Sequence, residues 1–277
     1  MQRFKGLVVA GAVALALGTA SGQAQADPVN FLPGGVDVAF KYNNLEAPFI
    51  TDVGDVLSGI FAVTTIGSPI GVPLYWASGL TDGTQLNGFF TGLTAAQIIN
   101  TGAGFDIFFT GGTITMYNVP GGSYAPTDET NPINPQICGG AVCPAAWLTA
   151  DFTPGIVPFD DPTTLGFDES TTTLKSHVDF LTAPLQGLGD GLLELTGGTA
   201  AAKFVDGAGP DFSFQSNLNS CPAPVGSPFV PLCTGHTWPL ASFDPVTGRT
   251  VPEPGSLLLL GFALLGGALV RRARSAA

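Results

Sequence analysis

The feature that most constrains this fold is a run of short, β-prone segments, each closed off by turn residues. They read VDVAFKYNNL from Val36, VLSGIFAVTTIG from Val56, LNGFFTGL from Leu86, FDIFFTGGTITMYNV from Phe105, WLTADF from Trp147, TLKSHVDFL from Thr173, LLELTGG from Leu192 and DFSFQSNL from Asp211. Thr81-Asp82-Gly83, Gly111-Gly112 and Gly197-Gly198 supply turn chemistry between them. In TLKSHVDFL the mostly apolar set Leu174, Ser176, Val178 and Phe180 alternates with Lys175, His177, Asp179 and Leu181, so the first set is expected to face a core. One stretch, TAAQIIN from Thr94, has the spacing of a helical turn. Many short strands with so little helix predict an all-β fold, an antiparallel β-sandwich or jelly roll.

The ends of the chain follow different rules. Arg3 and Lys5 precede an apolar run from Gly6 to Leu17, and Ala24-Gln25-Ala26 forms a small-residue cleavage pattern before Asp27, so residues 1–26 read as a secretory signal peptide. At the other end, Ser256 to Val270 carries no charge. As a helix that run reaches about 22 Å against roughly 30 Å of hydrocarbon, so a span over 254–270 needs Pro254, Gly255 and snorkelling arginines. Arg271, Arg272 and Arg274 are expected to stay cytoplasmic by the positive-inside rule.

Val251-Pro252-Glu253-Pro254, the short apolar run and the terminal arginines, in that order, closely resemble the PEP-CTERM sorting signal of exported proteins in Gram-negative bacteria. The resemblance implies an exosortase as partner, cleavage near Pro-Glu-Pro after a transient stay in the inner membrane, and a destination at the cell surface or in the extracellular matrix. It also implies a role in biofilm, floc or exopolysaccharide organisation. A permanent single-pass anchor is the plainer alternative. Domain boundaries follow as a β-rich exported domain over 27–219, a Pro-rich stalk over 220–250 and the sorting signal over 251–277.

Between Asp27 and Val251 stand twenty acidic residues against four basic ones, Lys41, Lys175, Lys203 and Arg249, a formal charge of −16. Such a surface repels nucleic-acid phosphates, so no nucleic-acid partner is expected. Export puts Cys138, Cys143, Cys221 and Cys233 in an oxidising compartment, and the local pairs Cys138 with Cys143 and Cys221 with Cys233 are favoured because each closes a Gly- or Pro-rich loop. His236 near Cys233 raises zinc, but no C-x-x-C pair and no fourth ligand accompany it.

Catalytic motifs are missing from the sequence. There is no G-x-S-x-G elbow, no H-E-x-x-H and no phosphate loop, and His177 and His236 are its only histidines. The expectation is a non-enzymatic surface protein without a cofactor. FDDPTTLGFDES offers oxygen ligands for calcium. The acid pairs Asp128-Glu129, Asp160-Asp161 and Asp168-Glu169, with Trp76, Trp147 and Trp238 as stacking platforms, carry the alternative of a sugar-binding module or a glycoside hydrolase.

Overall fold

The computed structural model describes residues 27–163, 166–179 and 185–252. Eleven strands form one antiparallel sheet: β1 (Asp37–Ala47), β2 (Val56–Gly67), β3 (Leu74–Ala77), β4 (Thr84–Asn100), β5 (Gly104–Thr110), β6 (Thr113–Pro120), β7 (Leu148–Thr153), β8 (Leu174–Asp179), β9 (Gln186–Gly197), β10 (Phe212–Ser220) and β11 (Leu240–Arg249). The all-β, antiparallel class therefore holds. The two sheet halves face each other over one core as in a sandwich, but the connectivity is a meander closed on itself, with no jelly-roll crossing.

The closure can be followed strand by strand. β5 and β6 lie end to end along β4, Phe105 to Thr110 against Asn100 to Thr94 and Thr113 to Pro120 against Thr91 to Thr84. Gly111 and Gly112 make the joint at positive φ, a conformation that an L side chain resists. β7 and β8 form a second composite strand, paired jointly to β9 and separated by the excursion over 154–173. With β5 and β6 counted as one stave, β7 and β8 as another, and β3 set aside as a short addition to β2, eleven strands make eight staves. Each stave pairs with its neighbour in the chain, and β1 pairs with β11 to close an up-and-down barrel. A barrel of this size leaves room for packed side chains or one small ligand.

The alternation of each strand decides what goes inside. On β1, Val38, Phe40, Tyr42, Asn44 and Glu46 are all buried and point inward, whereas Lys41 between them is exposed. Lys41, Asp190, Gln215 and His177 mark the outer face as polar, the reverse of the lipid-facing pattern of a transmembrane barrel. Near the start of β1 the barrel is filled by packed rings: Phe40 meets Trp147 at 6.3 Å and Phe204 at 5.8 Å, and Phe204 meets Phe212 at 5.4 Å. A second apolar cluster lies outside the wall, where Ile137, Phe229 and Trp238 cover Leu45, Ile60 and Ala241. These covering residues belong to the helix α1 (Ile133–Cys138) and the loop over 221–239, tied together by Trp238 Nε1 donating to Gln136 Oε1 at 3.3 Å. Both disulfides, Cys138 with Cys143 and Cys221 with Cys233, brace these loops in the expected pairing.

Two expectations are corrected here. Residues 220–250 are no stalk: Leu240–Arg249 is the closing strand, and the Pro-rich part before it is packed on the barrel wall through Phe229 and Trp238. Pro245 is tolerated inside β11 because the β10–β11 ladder is interrupted between Val246 and Ser242, where a missing N–H costs nothing. The exported domain accordingly runs through Thr250. TAAQIIN is the end of β4, not a helical turn. A register shift between Ala95 and Gln97 turns Ala95 and Ile98 to the same side, so a bulged strand imitates helical spacing.

The signal-peptide residues Ala24 and Ala26, the span over 254–270, Glu253, Pro254 and Arg271, Arg272 and Arg274 lie outside the described residues. Among the described residues no helix is long and apolar enough to cross a membrane.

Candidate functional site: the hollow half of the barrel

Toward the end of β1 the packed rings give way to a cavity. A cavity of about 400 Å³ is bounded by Leu57, Phe90, Leu93, Ile107, Phe109, Phe152, Leu174, Val178, Phe214 and Leu218, and Phe49, Thr51 and Phe105 form its exposed rim. That volume falls in the lower part of the range used for small-molecule sites. The space exists because three adjacent staves place small residues at one level. Gly189 of β9 pairs with Ser176 of β8 and with Ser216 of β10, and Gly187 and Gly191 flank it on the same inward face.

Among the described residues lining the cavity one is ionisable. Glu46, 5% exposed, sits where β1 meets β11, above a small polar layer of Tyr42, Asn44, Ser242 and Asp244. Ser242 Oγ lies 2.5 Å from Glu46 Oε1 and 2.9 Å from Asp244 Oδ2. A hydroxyl has one proton to give, so both contacts are satisfied when one carboxyl is itself protonated. Asn44 Nδ2 donates to Asp244 Oδ2, and the Asn217 N–H reaches Asp244 Oδ1 at 3.4 Å. Burial pushes Glu46 up to about 7, while hydrogen bonds from Ser242 and Asn44 pull the other way. Asp244 is raised well above the usual carboxylate range by burial first and by the Glu46 charge second. Among the described residues no basic side chain pairs with either carboxyl. The Tyr42 hydroxyl, raised by the same burial and by both acids, and Asn44 Oδ1 are buried without a hydrogen-bond partner.

The residues singled out from sequence lie elsewhere. Trp76, Trp147 and Trp238 are all buried, with Trp147 Nε1 donating to Asp27 Oδ1 at 2.7 Å, so none offers a face for stacking on a sugar. The acid pairs hold their own loops: Asp128 and Asp161 accept from Thr130 and Thr163, and Asp168 caps Ser170. Glu169 accepts from the Asp161 N–H at 3.0 Å, and its hydrogen bond raises Asp160. His177 is exposed on β8 with Nδ1 2.6 Å from Asp106 Oδ1. His236 is engaged by Leu232 O and the Trp238 N–H, and Cys233 is in a disulfide, so the ligands a zinc ion would need are committed. Carboxylate oxygens of Glu194, Asp206 and Asp211 come within 4.8 Å of one another, away from the loop expected to attract calcium, but Asp211 already accepts from the Leu195 and Gly207 N–H groups.

Sequence reading missed the polar layer, although one signal was present. Val38, Phe40, Tyr42, Asn44 and Glu46 share a period of two, which puts an acid on the core face. Asp244 gave less away, because its partner lies 200 residues earlier in the chain.

The described chain is thus an up-and-down β-barrel, solid at one end and hollow at the other. Residues 250–274 match the PEP-CTERM protein-sorting motif, as the tripartite C-terminus suggested. The motif implies export, a C-terminal membrane-anchoring signal and an exosortase as the processing partner. No curated protein and no solved structure matches the chain. The motif leaves from the solid end: the Gly35 N–H donates to Val251 O at 3.1 Å, the Val251 N–H to Lys203 O at 2.8 Å, and Thr250 Oγ1 to Pro33 O at 2.7 Å. The cavity mouth is at the opposite end of the same barrel.

Proposed function

We propose that this is a non-enzymatic exported barrel that takes up a small, largely apolar molecule while displayed at the cell surface or in the extracellular matrix. The observation that carries the reading is the opposition of cavity mouth and sorting motif. A tether that leaves beside Gly35 and Lys203 turns the rim of Phe49 and Phe105 away from the membrane. The arginine tail would lie in the cytoplasm until an exosortase acts near Pro-Glu-Pro. A setting in biofilm, floc or exopolysaccharide follows from the kind of protein that carries such a motif. The burial of the three tryptophans and the loop-holding role of the paired acids favour this reading over the sugar-binding and glycosidase alternatives.

Mass spectrometry of the protein recovered from its exporting host tests this. The denatured mass is expected to lack residues 1–26 and everything beyond the Pro-Glu-Pro region, and reduction should add four hydrogens for two disulfides. The native mass should exceed the denatured one by a small molecule that is released chemically unchanged. Equal native and denatured masses, with no uptake of an added apolar probe, would remove the carrier reading.

A further inference from the structure

We infer that the hollow half is built for an amphiphilic amine, with an apolar body against Phe90, Phe109 and Phe152 and a protonated amino head against Glu46. The inference rests on the reading that the cavity takes up a small apolar molecule, and it assigns the chemistry of that molecule's polar end. Among its described residues, a wall otherwise made of aliphatic and aromatic side chains with Ser, Thr and Gly carries a single ionisable group, so the sign of that group selects the ligand head. Buried charges in proteins are ordinarily paired. When Glu46 is ionised it has only hydroxyls, amides and the Asp244 carboxyl around it, so a cation supplies the partner that a buried charge needs.

The hydrogen-bond inventory points the same way. Within the polar layer Ser242 Oγ is used on the carboxyls and Asn44 Nδ2 on Asp244, and the Tyr42 O–H stays unused. Of that layer only Glu46 lines the cavity, and an ionised carboxyl can only accept. A primary ammonium brings three donors and a charge, whereas an alcohol brings one donor and none. A carboxylate head would meet Glu46 as a like charge in a low-dielectric wall. The formal charge of −16 on the exported portion adds a field that draws cations toward the molecule.

Calorimetric titration of the exported protein with dodecylamine, dodecanol and laurate, each below its micelle concentration, distinguishes the possibilities. Dodecylamine is expected to bind at least about tenfold more tightly than dodecanol, and laurate not measurably. Glu46→Gln, which keeps the hydrogen-bonding shape, should weaken dodecylamine by about tenfold or more and leave dodecanol within about twofold. Gly189→Val, which pushes methyl groups into the cavity, should remove binding of both. Equal affinities for amine and alcohol, or an amine affinity unmoved by Glu46→Gln, would overturn the head assignment while leaving uptake of an apolar molecule intact. Amine binding undisturbed by Gly189→Val would place it on the acidic exterior and overturn the site. Absence of binding by all three probes would defeat both the assignment and the carrier reading beneath it.

Discussion

The solid and hollow halves of the barrel share the same staves and the same in-and-out alternation, and both contain inward-facing glycines. What differs is the residue opposite Gly88 and Gly248 on one side and opposite Gly189 on the other. In the solid half, a methyl group on Gly88 would fall 2.5 Å from the Phe61 ring, and one on Gly248 would fall 2.2 Å from the Phe212 ring. Those glycines are seats for aromatic side chains reaching from a neighbouring stave. In the hollow half, the nearest atom to such a methyl on Gly189 is Ser216 Cβ at 3.3 Å, followed by a backbone oxygen at 3.7 Å. No ring comes across, and the room left by the missing side chain stays as cavity. A glycine in a strand therefore says that something needs space, and its cross-strand neighbours decide whether that is a phenyl ring or a ligand.

The sharpest way to break this comparison is Gly88→Ala. Its methyl would press on Thr115 O at 2.3 Å as well as on Phe61, so backbone as well as ring must shift. Overpacking of this kind costs about 3 kcal/mol or more, a fall of roughly 10 °C in melting temperature for a domain of this size. A circular-dichroism melt within a degree or two of the parent would mean that the solid half is less tightly filled than the ring contacts show.

The hollow half should instead declare itself through pH. Glu46 ionises near its ordinary 4.5 in the unfolded chain and near 7 in the folded one. Between those values the folded state keeps a proton that the unfolded state has lost, so stability is fully present below about 4.5 and drains away as pH rises through 7. The loss is on the order of 3 kcal/mol from this group, and Asp244, raised in the same direction by burial and by the Glu46 charge, adds to the decline. Urea midpoints measured on the ligand-free protein should fall steadily from pH 5 to 8, and Glu46→Gln should flatten much of that slope. A flat profile in the parent would mean that water reaches the pair.

The strands of the wall and the bridges of the covering loops were legible in the sequence. Alternation in VDVAFKYNNL or FDIFFTGG announces strands with an apolar face, and two short cysteine loops announce their own bridges. Closure was not legible, because it depends on Asp37 pairing with Arg249 across nearly the whole domain, and the closing strand contains a proline that made it look like part of a linker. The bulge at Ala95 hid the end of β4 in the same way, by changing a period of two into something close to a helix's. The cavity was the least readable feature. It is created by Ser176, Gly189 and Ser216, three unremarkable residues on three strands, and only their register puts them at one level.

The smallest expected effect is also the most direct comparison, Gly189→Ala set beside Gly88→Ala. The two positions have the same inward orientation and neither has positive φ, so backbone strain contributes to neither change. At Gly189 the added methyl meets Ser216 Cβ at a slightly tight 3.3 Å, which a small shift between β9 and β10 can relieve. Against that contact stands the gain from removing a glycine's freedom in the unfolded chain, about 0.4–1 kcal/mol. The terms nearly cancel, and the melting temperature should stay within about 3 °C of the parent while the cavity shrinks by about one methyl group. A loss as large as that of Gly88→Ala would show that the staves close in around Gly189 when the barrel is empty. The two halves would then differ in what they hold open and no longer in how they are packed.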